Sequence, residues 1–379
     1  MTHLVLAGGG HAHVLVLEHL MKQPVTGLQV TLISNCAQQY YSGMLPGWMN
    51  GIYSTHQCQI DLAQLCYKAG ARFVLGHVTH IDTKAQRVCL QDQLGVEYGL
   101  VSLALGSRTK ANLISTNSVC SVKPFDQFAH RWQQWRRLQS TFTTTQLTII
   151  GSGAAGVELA LAARQVMLDD TVNRKIILYT GPKGVLPQFH HKVQKLALQA
   201  LAKAKVEVVE QYAAPAQYEA QYKTDASRFT IFANGAQPSV VLNGPALDSD
   251  LALDDKGFVL VDEYQRSISH LNVFAAGDIC SRPNTPLQRS GVHAIRAGAV
   301  LAHNLVSQHL NRESEHNSAL RAFVPRRHNL YILSCSDGSA IASYAISWGT
   351  ATWHFAIKAN RIWYLKNWID TRFIRRFNG

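Results

Sequence analysis

The sequence predicts an α/β protein with two β-α-β units and a small C-terminal α+β segment. Short apolar runs alternate with helical patterns along the chain, as they do in sheets of parallel strands covered by helices. A glycine cluster follows an apolar run twice, at Gly8–Gly10 and at Gly151–Gly156. A third apolar run, Val273–Ala276, ends in Gly277-Asp278.

Length and composition fit this class. The chain has 379 residues, 47% of them hydrophobic and 16% charged, which suits two globular domains. The net charge of +12 favours an anionic partner, either a dinucleotide or an anionic membrane surface. No nucleic-acid recognition motif accompanies the charge, so no nucleic-acid partner is predicted. We expect a cytoplasmic protein, either free or peripheral on the inner face of the cytoplasmic membrane, because signal-peptide and membrane-spanning patterns are missing.

The seven cysteines are scattered, and none are spaced as Cys-x2-Cys or Cys-x4-Cys. This pattern predicts reduced thiols and argues against a dithiol relay of neighbouring cysteines. No metal site is predicted.

The first β-α-β unit has strands at His3–Ala7 and Leu28–Ile33, with the Gly8–Gly10 turn and a helix between them. Glycines are needed in such a turn because the backbone must approach a pyrophosphate at the helix N-terminus. His13 stands where a third glycine is expected. It predicts either a wider helix-strand contact or an imidazole near the phosphates, and a helix residue with no ligand role is the alternative.

The second unit carries the complete pattern Gly151-x-Gly153-x-x-Gly156 between a strand and a helix. In that context the pattern predicts a dinucleotide site. Glu158 follows at the start of the helix. It is either a surface carboxylate that complements the helix dipole or a carboxylate near the nicotinamide and flavin rings.

Both units end their second strand on neutral residues, Ser34-Asn35 in the first and Tyr179-Thr180 in the second. Neutral hydroxyl and amide groups hydrogen-bond a ribose more weakly than a carboxylate does. The choice between NADH and NADPH therefore stays open.

Gly277-Asp278 is the element that decides the cofactor. Its glycine allows a close backbone approach, and its aspartate can accept a hydrogen bond from a ribityl hydroxyl. Ala104-Leu105-Gly106 and Ala233-Asn234-Gly235 close the two dinucleotide halves, so FAD and a pyridine nucleotide are both predicted. Lys123, at the crossover between the halves, is either a residue that tunes the flavin or delivers a proton, or an ordinary linker lysine.

At these residues the sequence resembles the flavoproteins of the pyridine nucleotide-disulfide oxidoreductase superfamily, in the branch of type II NADH dehydrogenases and sulfide:quinone oxidoreductases. It is also similar to the flavoprotein modules fused to, or encoded beside, selenophosphate synthetase. The segments that carry this second similarity are Tyr41-Ser-Gly-Met-Leu-Pro-Gly47, Gly51-x-Tyr53, Gly257–Val261, Gly291–Arg296 and Trp368–Phe373.

The resemblance implies two Rossmann-like domains, the second inserted in the first. The FAD-binding domain comprises residues 1–118 and 245–318, the NAD(P)H-binding domain 119–244, and the C-terminal segment 319–379. FAD is expected to lie extended from the first glycine turn to Gly277-Asp278, with its adenine near Ser34, Asn35 and Val78 and its flavin near Pro46. The residues expected to bind FAD are Gly8, Gly9, Gly10, His13, Ser34, Asn35, Pro46, Val78, Ala104, Gly106, Gly277, Asp278, Gly291 and His293. Those expected to bind the pyridine nucleotide are Gly151, Gly153, Gly156 and Gly235.

Three functions follow as hypotheses. In the first, NAD(P)H reduces FAD and a quinone-like or other small acceptor reoxidises it, with Glu158 and Lys123 as candidate catalytic residues. In the second, sulfide or another chalcogen is the donor, and Cys120 and Cys335 form a redox pair. In the third, the chain is a flavin-binding partner of selenophosphate synthetase with incidental redox activity.

The C-terminal segment bears on the acceptor, since residues 358–377 predict an amphipathic basic helix. Its apolar positions at helical spacing are Ile362, Leu365, Ile369, Phe373 and Phe377. Such a helix either lies in an anionic membrane interface or packs on its own domain or on a dimer partner.

Overall fold

The computed structural model describes residues 1–378 except 110–117, 168–172, 213–224, 240–241, 243–248, 288, 314–318, 327 and 349–350. The domain boundaries predicted at 244/245 and 318/319 fall on these gaps, so the first lies outside the described residues and the second at their edge.

The helices and strands alternate as the sequence predicts over most of the chain. The helices are α1 (His11–Lys22), α2 (Leu45–Met49), α3 (Leu62–Lys68), α4 (Phe125–Leu138), α5 (Ala154–Val166), α6 (His191–Lys203), α7 (Gly291–Glu313) and α8 (Asn360–Asn378). The strands of the first half are β1 (Thr2–Ala7), β2 (Leu28–Ser34), β3 (Gln38–Tyr40), β4 (Gln59–Asp61), β5 (Arg72–Leu75), β6 (Val78–Asp82), β7 (Arg87–Leu90), β8 (Gln93–Glu97), β9 (Leu100–Leu103), β10 (Ser107–Arg108) and β11 (Val119–Ser121). Those of the second half are β12 (Thr144–Ile150), β13 (Asn173–Tyr179), β14 (Glu207–Val209), β15 (Arg228–Phe232), β16 (Gln237–Pro238), β17 (Val259–Leu260), β18 (Val273–Ala275), β19 (Cys280–Ser281), β20 (Tyr331–Ser334), β21 (Ala340–Trp348) and β22 (Ala351–Ala359).

The first parallel sheet has the strand order β18-β9-β1-β2-β5. Its central strand is buried on both faces: Leu4 and Leu6 belong to one hydrophobic cluster, and Val5 and Ala7 belong to another. Strands β1, β9 and β18 are parallel, so their carboxyl ends lie at one edge of the sheet. Gly8 and Ala104 directly follow β1 and β9, and Gly277 lies two residues after β18. Three segments that are distant in sequence therefore meet where an α/β sheet binds ligands.

Helices α1 and α7 pack together on the first sheet. The contact is close, since a Cβ on Gly298 of α7 would lie 2.9 Å from the backbone of Ala12 in α1. A small antiparallel sheet, β6-β7-β8, contributes Val78, Ile81 and Val88 to the cluster on the opposite face. Strand β18, which leads to Gly277, packs into the same cluster through Val273 and Ala275.

The second parallel sheet has the order β11-β15-β12-β13-β14. Its aromatic core is formed by α4 and β15, where the ring centroids of Trp135 and Phe229 are 5.2 Å apart. The described part of this sheet begins at β11, Val119–Ser121.

The C-terminal segment is an antiparallel sheet, β20-β21-β22, followed directly by α8. β22 was not predicted from the sequence, because its aromatic and basic residues resemble those of the helix after it. The last turns of α8 pack against the first half of the chain: Phe373 and Phe377 are buried, and Arg376 Nε donates to Glu18 of α1 at 3.1 Å. No helix within the described residues is long and apolar enough to cross a membrane.

Candidate active site

The first glycine turn leaves no room for side chains. A Cβ on Gly8 or Gly10 would lie 2.6 or 2.5 Å from the carbonyl oxygen of Ala104, and Gly8 has a left-handed φ of +100°. No side chain caps the N-terminus of α1, and its first turn carries no acidic residue. Free N–H groups at a helix N-terminus bind pyrophosphate, so this turn fits the diphosphate of a dinucleotide.

His13 is fully buried, and the protein engages both of its ring nitrogens. Nδ1 donates to the carbonyl oxygen of Gly8 at 2.6 Å, and Nε2 accepts from the hydroxyl of Ser102 at 2.8 Å. Burial lowers the pKa of His13 to about 4, so the ring is neutral. Its interactions hold the turn to β9, which makes any role toward phosphate indirect.

His11 is a residue of this site that the sequence reasoning did not single out. Its Nε2 is buried and has no hydrogen-bond partner among the described residues. Burial lowers its pKa to about 4; the nearby Asp278 acts to raise it and Lys123 to lower it. Its position directly after Gly10 was the available signal, since such a side chain lies at the entrance of the helix. An unpartnered neutral imidazole beside the turn fits a polar atom of a bound cofactor.

Asp278 and Lys123 form an ion pair, with 2.7 Å between Nζ and Oδ2. Ser107 also donates to this carboxylate, at 2.9 Å. Burial alone would raise the pKa of Asp278, but the ion pair and the hydrogen bonds hold it below its usual range. Asp278 is therefore an anionic acceptor suited to a ribityl hydroxyl, and Lys123 lies next to it.

The other residues expected around FAD lie along the same edge. Ser34 is buried beside Gly9, whose Cβ would lie 2.9 Å from the Ser34 hydroxyl, whereas Asn35 is exposed. Val78 is buried at the start of β6. A Cβ on Gly106 would meet nothing within 4 Å, so the space beside this residue is open.

Helix α7, whose Gly291 and His293 are expected to bind FAD, lies at this edge. It begins at Gly291, and Ala294 lies 3.5 Å from where a Cβ on Gly277 would be. His293 is buried against the ring of Phe323, and its Nε2 has no hydrogen-bond partner.

The second glycine turn is tighter than the first. A Cβ on Gly156 would lie 2.1 Å from the carbonyl oxygen of Gly151. Gly153 is the N-cap residue of α5, so no side chain caps this helix, and the first turn of α5 has no acidic residue. Gly235, after β15, has a left-handed φ of +65°. This turn, too, fits the diphosphate of a dinucleotide.

Glu158, on α5, lies in a charged cluster with two residues of α8, in which Asp370 is buried and Glu158 and Lys366 are half-buried. Its Oε1 accepts from the backbone N–H of Ser334 at 2.7 Å. Lys366 Nζ donates to Asp370 Oδ2 and to the carbonyl oxygen of Gly43, both at 2.7 Å. Burial raises the pKa of Glu158 to about 7, while Lys366 and the Ser334 amide act to lower it. Glu158 is therefore no surface carboxylate.

A narrow cleft lies beside this cluster. Its lining residues come from the α2 region and the C-terminal segment: Gly43, Pro46, Gly47, Ile52, Tyr53, Ser334, Trp363, Lys366 and Asn367. The sequence singled out Pro46, but it showed Lys366 as one basic residue of the amphipathic helix predicted over residues 358–377. Asp370 is the one acidic residue among the basic residues of α8, and that isolation was the signal available for it.

All seven cysteines are free. Cys120 is buried in β11, and burial raises its pKa. Cys335 follows β20, and burial raises its pKa to about 11. Both thiols are therefore protonated at neutral pH, and neither is a poised nucleophile.

Comparison with known proteins identifies the family. The profile of the pyridine nucleotide-disulphide oxidoreductases matches residues 2–298. "Oxidoreductase ptaL" of Pestalotiopsis fici is 26% identical over 309 residues, which cover 74% of this chain and 77% of that protein. The chain belongs to the pyridine nucleotide-disulphide oxidoreductase family.

Solved structures show the same fold. The sulfide:quinone oxidoreductase of Aquifex aeolicus matches with a TM-score of 0.75 and 18% identity, covering 100% of this chain and 91% of that one. The NDH2 of Plasmodium falciparum in complex with NADH matches with a TM-score of 0.75 and 12% identity, covering 98% and 96%. The predicted α/β class, the superfamily, and the cofactors FAD and NAD(P)H are thereby confirmed, and the chain is a FAD-dependent oxidoreductase.

Proposed function

We propose that this oxidoreductase takes two electrons from NADH or NADPH and passes them through FAD to a quinone-like or other small acceptor. The observation that carries the proposal is the meeting of α5, the Pro46 region and α8 around Glu158. In this way α5, expected to bind the pyridine nucleotide, contacts α2, which carries Pro46 and is expected beside the flavin.

The two glycine turns divide the binding between two nucleotides. The first turn, with Asp278, is suited to FAD, and the uncapped N-terminus of α5 is suited to the diphosphate of NAD(P)H. FAD, when bound, supplies the electron-transfer chemistry, so the protein needs no nucleophile. The residues bind and orient the two cofactors, and Glu158 holds a proton beside the cleft.

Anaerobic stopped-flow reduction of the yellow holoprotein by NADH, NADPH and sulfide in turn tests the proposal. We expect rapid bleaching by one pyridine nucleotide and reoxidation by a soluble quinone. Bleaching by sulfide alone, lost in a Cys120→Ala, Cys335→Ala variant, would support the chalcogen hypothesis instead. No bleaching by any donor would leave only the role of a flavin-binding partner.

We further propose that an exposed aromatic face brings the protein to an anionic membrane surface. Facing pairs of β21 and β22, Tyr344 with Phe355 and Ile346 with Trp353, lie on one side of the sheet and are exposed. The exposed Trp368 lies on α8, which follows β22 directly. Arg361 and Arg372 of α8 are exposed basic residues, and the Arg372 guanidinium lies over the Trp368 ring. Aromatic side chains flanked by cations suit the interface of an anionic bilayer.

Flotation with anionic and neutral vesicles tests the membrane proposal. Removing α8 would disturb the core because Phe373 and Phe377 are buried, so point variants are required. We expect Trp353→Ser, Phe355→Ser to lose binding to anionic vesicles and Tyr67→Ser, an exposed aromatic of α3, to keep it. Unchanged flotation of the double variant would refute the membrane proposal, and a concentration-dependent dimer lost in that variant would assign the face to a second copy.

A further inference from the structure

The cluster at the cleft contains more carboxyl groups than cations. Glu158 and Asp370 each contribute a carboxyl group, and Lys366 contributes one ammonium. Lys366 donates to Asp370 and to the Gly43 carbonyl, so among the described residues the short hydrogen bond of Glu158 is the one from the Ser334 amide. Two buried carboxylates that share one cation resist ionising together.

The hydroxyl of Tyr41 adds a second donor to Asp370. Tyr41 precedes Gly43 in the segment that also supplies Pro46, whereas Asp370 is one turn beyond Lys366 on α8. Asp370 is thereby held by two donors and Glu158 by one. The unequal support favours the anion on Asp370 and the proton on Glu158.

We propose that Glu158, Lys366, Asp370 and Tyr41 form a proton store that holds one exchangeable proton, and that Asp370 is the positioning residue that places this proton on Glu158. This inference rests on the proposed function and deepens it. Asp370 acts through Lys366, without touching the substrate.

The proposed reaction consumes one proton that NAD(P)H does not supply. NAD(P)H supplies two electrons and one proton, and a quinone-like carbonyl acceptor takes up two electrons and two protons. The second proton must come from solvent through the protein. Glu158 gives its proton to an acceptor oxygen, and the carboxylate left behind regains one from solvent before the next turnover.

The directions of the pKa shifts agree with this charge count. Burial and the Asp370 charge raise the pKa of Glu158, whereas Lys366 lowers it, with a result of about 7. Burial raises the pKa of Asp370 against the opposing effects of Lys366 and Tyr41. For Lys366, burial acts to lower the pKa, but the two carboxylates outweigh it and raise the pKa.

Other titratable groups near the cluster are fixed over the physiological range. Burial raises the pKa values of Tyr41 and Tyr53, which therefore stay protonated. Burial raises the pKa of Cys58 to about 12 and that of Cys335 to about 11. Within the described part of the chain, titration at the cluster near neutral pH is therefore assigned to the two carboxyl groups, since the raised pKa of Lys366 keeps the lysine charged.

The test is a carboxyl ¹³C NMR titration of the oxidised holoprotein labelled at its glutamate side chains, from pH 5 to 9. We expect one resonance with a midpoint near 7, absent from Glu158→Gln. Asp370→Asn should lower this midpoint by at least one pH unit, because Lys366 then neutralises Glu158. Lys366→Met should raise it by a similar amount. Asp337→Asn, also in the C-terminal segment but paired with Lys358, should leave it unchanged.

Opposite shifts in two buried variants distinguish a proton store from general loss of packing. Tyr41→Phe keeps the ring and removes only the donor to Asp370, so it should lower the Glu158 midpoint by a smaller amount even if Asp370→Asn fails to fold. A midpoint near that of an ordinary glutamate, or equal shifts in Asp370→Asn and Lys366→Met, would overturn the proposal. Because the titration uses no donor or acceptor, a proton store without NAD(P)H-driven bleaching would refute the proposed function alone.

Discussion

The two glycine turns of this protein solve one packing problem in two ways. Gly8 and Gly151 each begin a turn, and the residue five positions later faces the carbonyl of that first glycine. In the second turn that residue is Gly156, where a Cβ would lie 2.1 Å from the carbonyl oxygen. In the first it is His13, whose Nδ1 donates to the carbonyl at 2.6 Å.

The third glycine of the pattern is therefore a packing device, not a ligand for phosphate. Where the helix lies close to the turn, only glycine fits; where it lies further away, an imidazole fills the gap and hydrogen-bonds the carbonyl. The missing third glycine does not weaken the case for a dinucleotide at the first turn. With His13 in place of the third glycine, however, the contact between helix and turn depends on a side chain that titrates.

The largest expected effect of this difference is acid sensitivity at the first turn. His11 and His13 have pKa values of about 4 in the fold, below the unfolded value of 6.5. Their stabilising effect is complete above pH 6.5 and is lost as the pH falls toward 4, by on the order of 3 kcal/mol for each histidine. Denaturant unfolding and FAD release, followed at pH 7, 5.5 and 4.5, should show this loss. A His13→Gln variant with undiminished acid sensitivity would contradict the assignment to His13.

Gly156→Ala tests the packing role of the third glycine. The added methyl group forces α5 away from Gly151, and we expect a loss of about 3 kcal/mol or more in unfolding free energy and at least tenfold weaker NAD(P)H binding. FAD content should stay normal, because the first turn is untouched. Gly153→Ala, whose Cβ would meet its nearest atom at 3.7 Å, is the matched control and should unfold close to the parent. Equal losses of unfolding free energy in Gly156→Ala and Gly153→Ala would refute the packing explanation.

Glu158 gives the second unit the opposite pH dependence. Its pKa in the fold, about 7, lies above the unfolded value of 4.5, so its stabilising effect is complete below pH 4.5 and is lost as the pH rises through 7. Glu158→Gln should gain about 2 to 3 kcal/mol relative to the parent between pH 5 and pH 8. Unfolding curves at the two pH values measure the gain, and a constant difference would show that Glu158 is ionised throughout.

Ser102→Ala should have the smallest effect. It removes the hydroxyl that donates to His13 Nε2 but leaves the bond from His13 to Gly8. We expect a loss of about 1 kcal/mol in unfolding free energy, with normal FAD content. Loss of FAD in this variant would show that the His13 ring orientation controls the turn more strongly than the comparison implies.

The fold was largely predictable because the signals for it are local. Buried strands are apolar runs and tight turns need glycine. These rules predicted β1, β2, β18 and the glycine turns after β1, β12 and β18, whereas the short strand β11 was not predicted. The strand β22 was missed because its exposed aromatic residues alternate in a segment whose composition also suits a helix.

The sequence alone determined the α/β class, the two nucleotide units and FAD, since each depends on spacing within a few residues of one turn. It also predicted the apolar repeat of the C-terminal helix, but could not tell which part of that face is covered. Tertiary structure decided that Phe373 and Phe377 are buried while Trp368 stays exposed.

Only the tertiary structure assigned roles to the charged residues. Glu158, Lys366 and Asp370 come from two segments about 200 residues apart, and no local pattern shows that they share one buried site. Burial and charge proximity set the pKa of a carboxyl group, and both depend on which distant residues pack around it. For that reason the sequence shows the residue types of the cluster but does not determine the pKa values of its carboxyl groups.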